Sequence, residues 1–184
     1  MALGNAMLAD QIIGYLGGIA ASGYDVYIYD YRGYGRSEGK RRIHAILEDY
    51  LEIATELNPS YSKRVFYGIS LGAVVISNIL GAGIDYDAAI LDSGPSRLSP
   101  YGCPKSVDPI AILPEDASKI LVITGDRDTV LGEGMTGELR RLAERRGAKI
   151  IKDTRFAHPF MDSPAIQAIR MNMVKEFIIA TTAK

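Results

Sequence analysis

Five short apolar runs, separated by longer segments, constrain the fold of this chain more than any other feature. The runs are rich in Val, Ile, Tyr and Phe, and several are almost continuously apolar, which is typical of strands buried on both faces of a parallel sheet. The predicted strands are Asp25–Tyr29, Arg64–Ile69, Ala88–Leu91, Lys119–Thr124 and Ala148–Lys152. Strands that alternate with helices predict an α/β fold, a three-layer α/β/α structure whose mainly parallel sheet has about five strands.

Helical patterns occupy most of the segments between these runs. The predicted helices are Ile43–Leu57, Leu71–Leu80, Met135–Arg146 and a last helix from Ser163–Pro164 to about Ala180. The first has its apolar residues on one face, and the second is apolar on nearly all sides, which indicates a buried helix. In sheets of this kind the ligand site lies at the carboxyl ends of the strands.

Length and composition narrow the class of protein. We expect residues 1–184 to form one α/β domain, and the net charge of -1 gives no reason to expect a nucleic-acid partner. No run of about 18 apolar residues is present, so no membrane span is expected, and the N-terminus lacks the pattern of a signal peptide. Cys103 is the single cysteine, which fits a reducing compartment, so we expect a cytoplasmic protein.

The segment Gly68–Gly72 reads G-x-S-x-G and lies between a predicted strand and a predicted helix. This is the setting of a nucleophile elbow, in which a sharp turn lifts the serine oxygen clear of the sheet. The two glycines allow the turn to pack closely, and the helix N-terminus presents free N–H groups to developing negative charge. The pattern therefore indicates that Ser70 is a nucleophile.

An acid and a base follow later strands. Asp128 lies just after Lys119–Thr124, and His158 lies between Ala148–Lys152 and the last helix. A neutral imidazole can take the serine proton, and a carboxylate can hold the imidazole in the required tautomer. We rank Asp128 first as the acid, and the alternatives are Asp92 and then Asp126. His44, the other histidine, lies among basic residues and is expected to be solvated.

A glycine-rich loop adds a family resemblance. The segment Asp30–Gly39 resembles the D-x-R-G-x-G-x-S-x-G loop of α/β-hydrolases, and the elbow, the stretch Gly125–Val130 and the late histidine match as well. The chain is most similar to the small esterase-like and peptidase-like serine hydrolases that lack a large cap. The resemblance implies that the loop helps shape the floor near the site. We expect Arg32 to be tied to a local carboxylate there.

The start of the chain departs from the family pattern. Leu3-Gly4-Asn5 stands where the family has a His-Gly-x motif, so the implied oxyanion donors are the backbone N–H groups of Leu71 and Asn5. The usual N-terminal strands are absent, including one that would lie between Asp25–Tyr29 and Arg64–Ile69. We expect a truncated start, a strand from another chain, or direct pairing of the two neighbours. Exposed strand edges also make a homo-oligomer possible.

The segment Asp92–Ser118, where a cap would be inserted, is short and proline-rich, so an open site and small ester substrates are expected. No cofactor or metal is expected, because no Cys/His cluster is present and Gly33–Gly35 lacks the dinucleotide-binding context. The sequence predicts a serine hydrolase that acts on an ester, thioester or amide through an acyl-serine intermediate. The alternatives are a non-catalytic binding protein of the same fold and an acyl transferase on the same scaffold.

Overall fold

The computed structural model describes residues 1–183 and contains a parallel sheet of four strands in the order β1-β2-β3-β4. The strands are β1 (Val65–Ile69), β2 (Ala88–Asp92), β3 (Ile120–Gly125) and β4 (Lys149–Asp153). The α-helices are α1 (Ala9–Ile12), α2 (Gly17–Ala20), α3 (Ile43–Leu57), α4 (Leu71–Gly81), α5 (Pro109–Ile112), α6 (Glu133–Arg145) and α7 (Pro164–Thr182). The four long helices agree with the sequence prediction to within two residues at each end, whereas the short helices α1, α2 and α5 were not predicted.

Helices cover both faces of the sheet, so the predicted three-layer α/β/α fold is confirmed. One core contains apolar residues of α3, α4 and α6, and the other contains residues of α2 and α7. Successive residues of β2 alternate between the two cores, with Ala89 and Leu91 in the first and Ala88 and Ile90 in the second. This alternation explains why the strands are apolar at consecutive positions.

The prediction of a strand at Asp25–Tyr29 is wrong, because this segment joins no ladder. The start of the chain lies along β1 instead. Ala2 N–H donates to the carbonyl of Tyr67 at 2.8 Å, and Ile69 N–H donates to the carbonyl of Ala2 at 3.2 Å. The amino group of Met1 donates to the carbonyl of Tyr27 at 2.6 Å. Val26 and Ile28 still pack against the core, so their apolar pattern reports burial rather than strand pairing.

A cleft of about 490 Å³ separates the segment 24–29 from β1. Its lining includes Val65, Phe66 and Tyr67, which form the amino-terminal part of β1. Of the three expectations for this part of the chain, direct pairing of the two neighbours is therefore wrong, because this cleft lies between them. It lies away from the carboxyl end of β1, where the turn to α4 begins.

The predicted role of Arg32 is confirmed. Its Nε donates to Oδ2 of Asp49 in α3 at 2.6 Å, and its Nη2 contacts the other carboxylate oxygen. This ion pair fixes the Asp30–Gly39 loop against α3.

Within residues 1–183, no helix combines the length and the apolar character that crossing a membrane requires.

Replacing Gly72 by Ala should destabilise the protein, because the added Cβ would lie 2.1 Å from the carbonyl oxygen of Ala2. The obstacle is backbone, so relief requires the start of the chain to move away from β1. We expect a loss of about 1–3 kcal/mol in the free energy of unfolding, measured by urea titration. Gly14→Ala is the matched control, since its added Cβ meets open space. Equal stability of the two variants would contradict the packing described here.

Candidate active site

The carboxyl ends of the strands bring the predicted site residues to one edge of the sheet. Ile69 of β1, Asp92 of β2 and Ile123 of β3 are partners across the ladder, so the strands end nearly level. Three of the turns that leave this edge carry the residues predicted to act together, which are Ser70, Asp128 and His158.

Ser70 occupies a strained turn between β1 and α4. Its backbone has φ 53° and ψ -115°, a conformation that residues other than glycine rarely adopt. A Cβ on Gly68 would lie 2.2 Å from the carbonyl oxygen of Gly72, so only glycine lets the strand and helix approach this closely. The Ser70 side chain does not cap α4, although it precedes the first helical residue. The geometry matches a nucleophile elbow, in which the hydroxyl is free to react.

Asp128 and His158 are joined directly by a hydrogen bond. Oδ2 of Asp128 lies 2.9 Å from Nδ1 of His158. The other carboxylate oxygen accepts the backbone N–H groups of Val130 and Leu131 at 3.0 and 2.8 Å. The turn that carries Asp128 therefore fixes the carboxylate in an orientation that presents one oxygen to the imidazole.

Asp128 remains ionised despite its burial. Burial alone would raise the pKa of this carboxyl, but the hydrogen bond from His158 and the N–H of Leu131 offset that effect and hold the pKa below its ordinary value. A carboxylate on Nδ1 fixes the tautomer in which Nδ1 carries the proton and Nε2 is the free acceptor. Within residues 1–183, His158 makes no hydrogen bond to the Ser70 hydroxyl, so Nε2 has no protein partner on the serine side.

The alternative residues lie in different surroundings. Asp92 is completely buried and contacts Arg170 and Tyr67 rather than a histidine ring. Asp126 is exposed and forms an ion pair with Lys152 at 3.0 Å. His44 is exposed at the start of α3, as expected. Of the three candidate acids, Asp128 is therefore the one that the structure places against the imidazole.

The start of α4 and the segment 3–5 both lie beside the Ser70 turn. The N–H of Leu71 lies in the first turn of α4, where no intrahelical acceptor exists. The chain start passes beside Ser70, since a Cβ on Gly4 would lie 3.6 Å from the Cβ of Ser70. The Gly4 N–H donates to the sulfur of Met7 at 3.2 Å. Asn5, the second predicted donor, follows Gly4 in this same segment.

Two tyrosines of the Asp30–Gly39 loop hold this segment, although no sequence pattern indicated a role for them. The hydroxyl of Tyr31 donates to the carbonyl of Leu3 at 2.5 Å, and that of Tyr34 donates to Oδ1 of Asn5 at 2.6 Å. The one sequence feature that could have indicated this role is that both tyrosines lie in the loop that resembles the α/β-hydrolase motif. The loop therefore shapes the site indirectly, by fixing residues 3–5.

The segment that would carry a cap contains short helices of three or four residues, including α5. Cys103 lies in this segment, is partly buried and forms no disulfide. Among residues 1–183, no three His, Cys, Asp or Glu side chains are grouped so that they could hold a metal ion.

Residues 11–114, more than half of the chain, match the family described as serine aminopeptidase, S33. The chain belongs to this family. It is therefore a hydrolase of the α/β-hydrolase superfamily, which confirms the resemblance inferred from the sequence. The matched range contains Ser70 and ends before Asp128 and His158. A search of curated protein sequences gave no match.

Solved structures of other hydrolases share the fold of this S33-family chain. A monoacylglycerol lipase from Paleococcus ferrophilus is 13% identical with a TM-score of 0.74, over 98% of this chain and 93% of that one. An esterase from Pyrococcus furiosus is 18% identical with a TM-score of 0.76, over 98% and 81%. Est1E from Butyrivibrio proteoclasticus, solved with ferulic acid bound, is 14% identical with a TM-score of 0.75, over 100% and 88%. At these identities the likeness establishes the fold.

The ionised state of Asp128 should contribute to stability in a pH-dependent way. Because folding lowers its pKa, the contribution is present above the ordinary value of 3.8 and is lost as the pH falls below it. The stability difference between the native protein and Asp128→Asn should therefore shrink between about pH 4 and pH 2 in urea titrations. Asp126→Asn, at an exposed carboxylate in the same turn, is the control. A difference that stays constant over this range would show that Asp128 does not titrate as described.

Proposed function

We propose that this hydrolase cleaves an ester, thioester or amide bond through an acyl-serine intermediate, with Ser70, His158 and Asp128 as a triad. The observation that carries the proposal is the Asp128–His158 hydrogen bond at the sheet edge where the strained Ser70 turn begins. A carboxylate-oriented imidazole that can take the proton of a serine hydroxyl is the arrangement that activates the hydroxyl for acyl transfer.

In the first half of the reaction, the Ser70 oxygen attacks the carbonyl carbon of the substrate. Nε2 of His158 takes the hydroxyl proton, and the Asp128 carboxylate stabilises the imidazolium that forms. The tetrahedral intermediate carries a negative oxygen, for which the backbone N–H groups of Leu71 and Asn5 are the proposed donors. When the bond to the leaving group breaks, His158 gives the proton to that group and the acyl chain remains on Ser70.

The second half repeats the proton transfers with water. His158 takes a proton from a water molecule, whose oxygen attacks the acyl carbon, and the collapse of the new intermediate returns the proton to Ser70. The products are the carboxylic acid and the alcohol, thiol or amine. No step needs a metal or an organic cofactor.

Labelling with a fluorophosphonate tests the nucleophile without knowledge of the substrate. We expect one adduct per chain on Ser70 by peptide mass mapping, with no adduct in Ser70→Ala and strongly slowed labelling in His158→Ala and Asp128→Asn. Hydrolysis of an activated ester should fall by about 10⁴-fold or more in the Ser70 and His158 variants. His44→Ala and Asp126→Asn, which replace the other histidine and the neighbouring aspartate, should behave as the native protein. A folded native protein that takes up no label would sink the proposal and favour a binding protein of the same fold.

The proposed substrate class is a small or exposed acyl group, because the cap segment supplies helices of no more than four residues. Each CH₂ group that a site buries contributes about 0.8 kcal/mol to the free energy of binding. An uncovered site leaves most of a long acyl chain in water, so it does not gain that contribution. We expect kcat/KM for p-nitrophenyl acetate or butyrate to exceed that for p-nitrophenyl palmitate. A preference for palmitate would show that the site buries long acyl chains and that the assignment of an open site is wrong.

A further inference from the structure

Arg170 of α7 forms a buried link between two parts of the site. Its Nη1 donates to Oδ1 of Asp92 at 2.6 Å, and its Nη2 donates to the carbonyl oxygen of Ala157 at 2.6 Å. The side chains of Arg170 and Asp92 are both 0% exposed. The guanidinium also lies 4.2 Å from the centre of the Phe156 ring. A planar group with several fixed donors is suited to hold two acceptors at a set separation.

The Ala157 carbonyl belongs to the peptide bond that precedes His158. The N–H of Ala157 donates to both carboxylate oxygens of Asp162, at 3.0 and 3.1 Å, so this residue is held at its nitrogen as well as its oxygen. Nη2 of Arg170 also lies 3.4 Å from Oδ2 of Asp162. Fixing the peptide before His158 fixes where its side chain leaves the backbone, and thereby the position of the imidazole.

The other end of the link reaches the nucleophile. The backbone carbonyl of Asp92 accepts the N–H of Ser70 at 2.9 Å. Its second carboxylate oxygen accepts the hydroxyl of Tyr67 at 3.1 Å, so the carboxylate is held from two sides. A continuous chain of contacts therefore runs from Ser70 through Asp92 and Arg170 to the residue that precedes His158.

A contribution to stability does not by itself explain why Arg170 and Asp92 are buried together. Removing two charges from water carries a large desolvation cost, and apolar residues of similar volume often give a protein of equal or greater stability. We propose that Arg170 is a positioning residue for the triad, which holds the His158 loop at the correct distance from Ser70. This inference rests on the proposed function.

Three variants separate positioning from folding. Arg170→Lys keeps the charge that Asp92 requires, but a single ammonium does not reproduce the two-acceptor geometry of the guanidinium. The double variant Asp92→Asn with Arg170→Gln removes both charges together, so no unpaired buried ion remains. Arg146→Lys is the matched control, because Arg146 also bridges a carbonyl (Leu113) and a carboxylate (Glu115). Arg146 precedes the amino end of β4, whereas His158 follows its carboxyl end, so the two lie toward opposite edges of the sheet.

We expect Arg170→Lys and the double variant to fold, as judged by urea titration, and to lose about 10- to 100-fold in kcat on an activated ester. KM should change by no more than about twofold, because substrate contacts are untouched. The downfield proton resonance of His158 Nδ1–H, which reports the hydrogen bond to Asp128, should broaden or disappear in both. Native values of kcat and an unchanged resonance in the folded variants would overturn the proposal, as would an equal loss in Arg146→Lys.

The two proposals can fail separately. A native protein that neither hydrolyses esters nor accepts a fluorophosphonate would contradict the proposed function. The imidazole resonance would still report in that protein whether Arg170 holds His158 in place, because its measurement requires no turnover.

Discussion

The close approach between β1 and α4 is the constraint on which the rest of the structure depends. Gly68 and Gly72 leave no room for a Cβ, so the backbone turns sharply and holds Ser70 in a conformation with positive φ. The same absence of a side chain at Gly72 lets Ala2 and Leu3 cross the start of α4. One packing requirement therefore places the nucleophile, exposes the helix N-terminus and brings a second backbone segment beside them.

Two buried carboxylates near this turn, those of Asp128 and Asp92, make different contacts. Asp128 is satisfied by two backbone N–H groups and has one oxygen left for His158. Asp92, one strand away, is neutralised by Arg170 and is unavailable to an imidazole. The partners of Asp128 hold its pKa below the ordinary value, whereas burial raises the pKa of Asp92 despite the contact with Arg170. The contacts of the two acids therefore differ, and Asp128 is the one that faces the histidine.

Much of this arrangement was predictable from local sequence. Helix α3 has the predicted bounds Ile43–Leu57, because a single apolar stripe and a following proline define it. The elbow was predictable since strand, glycines and serine are contiguous. The segment Asp25–Tyr29 was mispredicted because strand pairing depends on a neighbour that no local pattern reveals. Arg170 was missed for a related reason, as its partner Asp92 lies 78 positions away and a helical arginine is ordinarily exposed.

Trapping the acyl-enzyme tests the central claim most directly, because the account requires the acyl group to reside on Ser70 during turnover. The native protein would be mixed with excess p-nitrophenyl butyrate, quenched in acid within the first turnover and mapped by peptide mass. The account predicts a burst of p-nitrophenol that matches the enzyme concentration and a butyryl group on the peptide that contains Ser70. Turnover with no acyl adduct, or with the adduct on another residue such as Cys103, would contradict it.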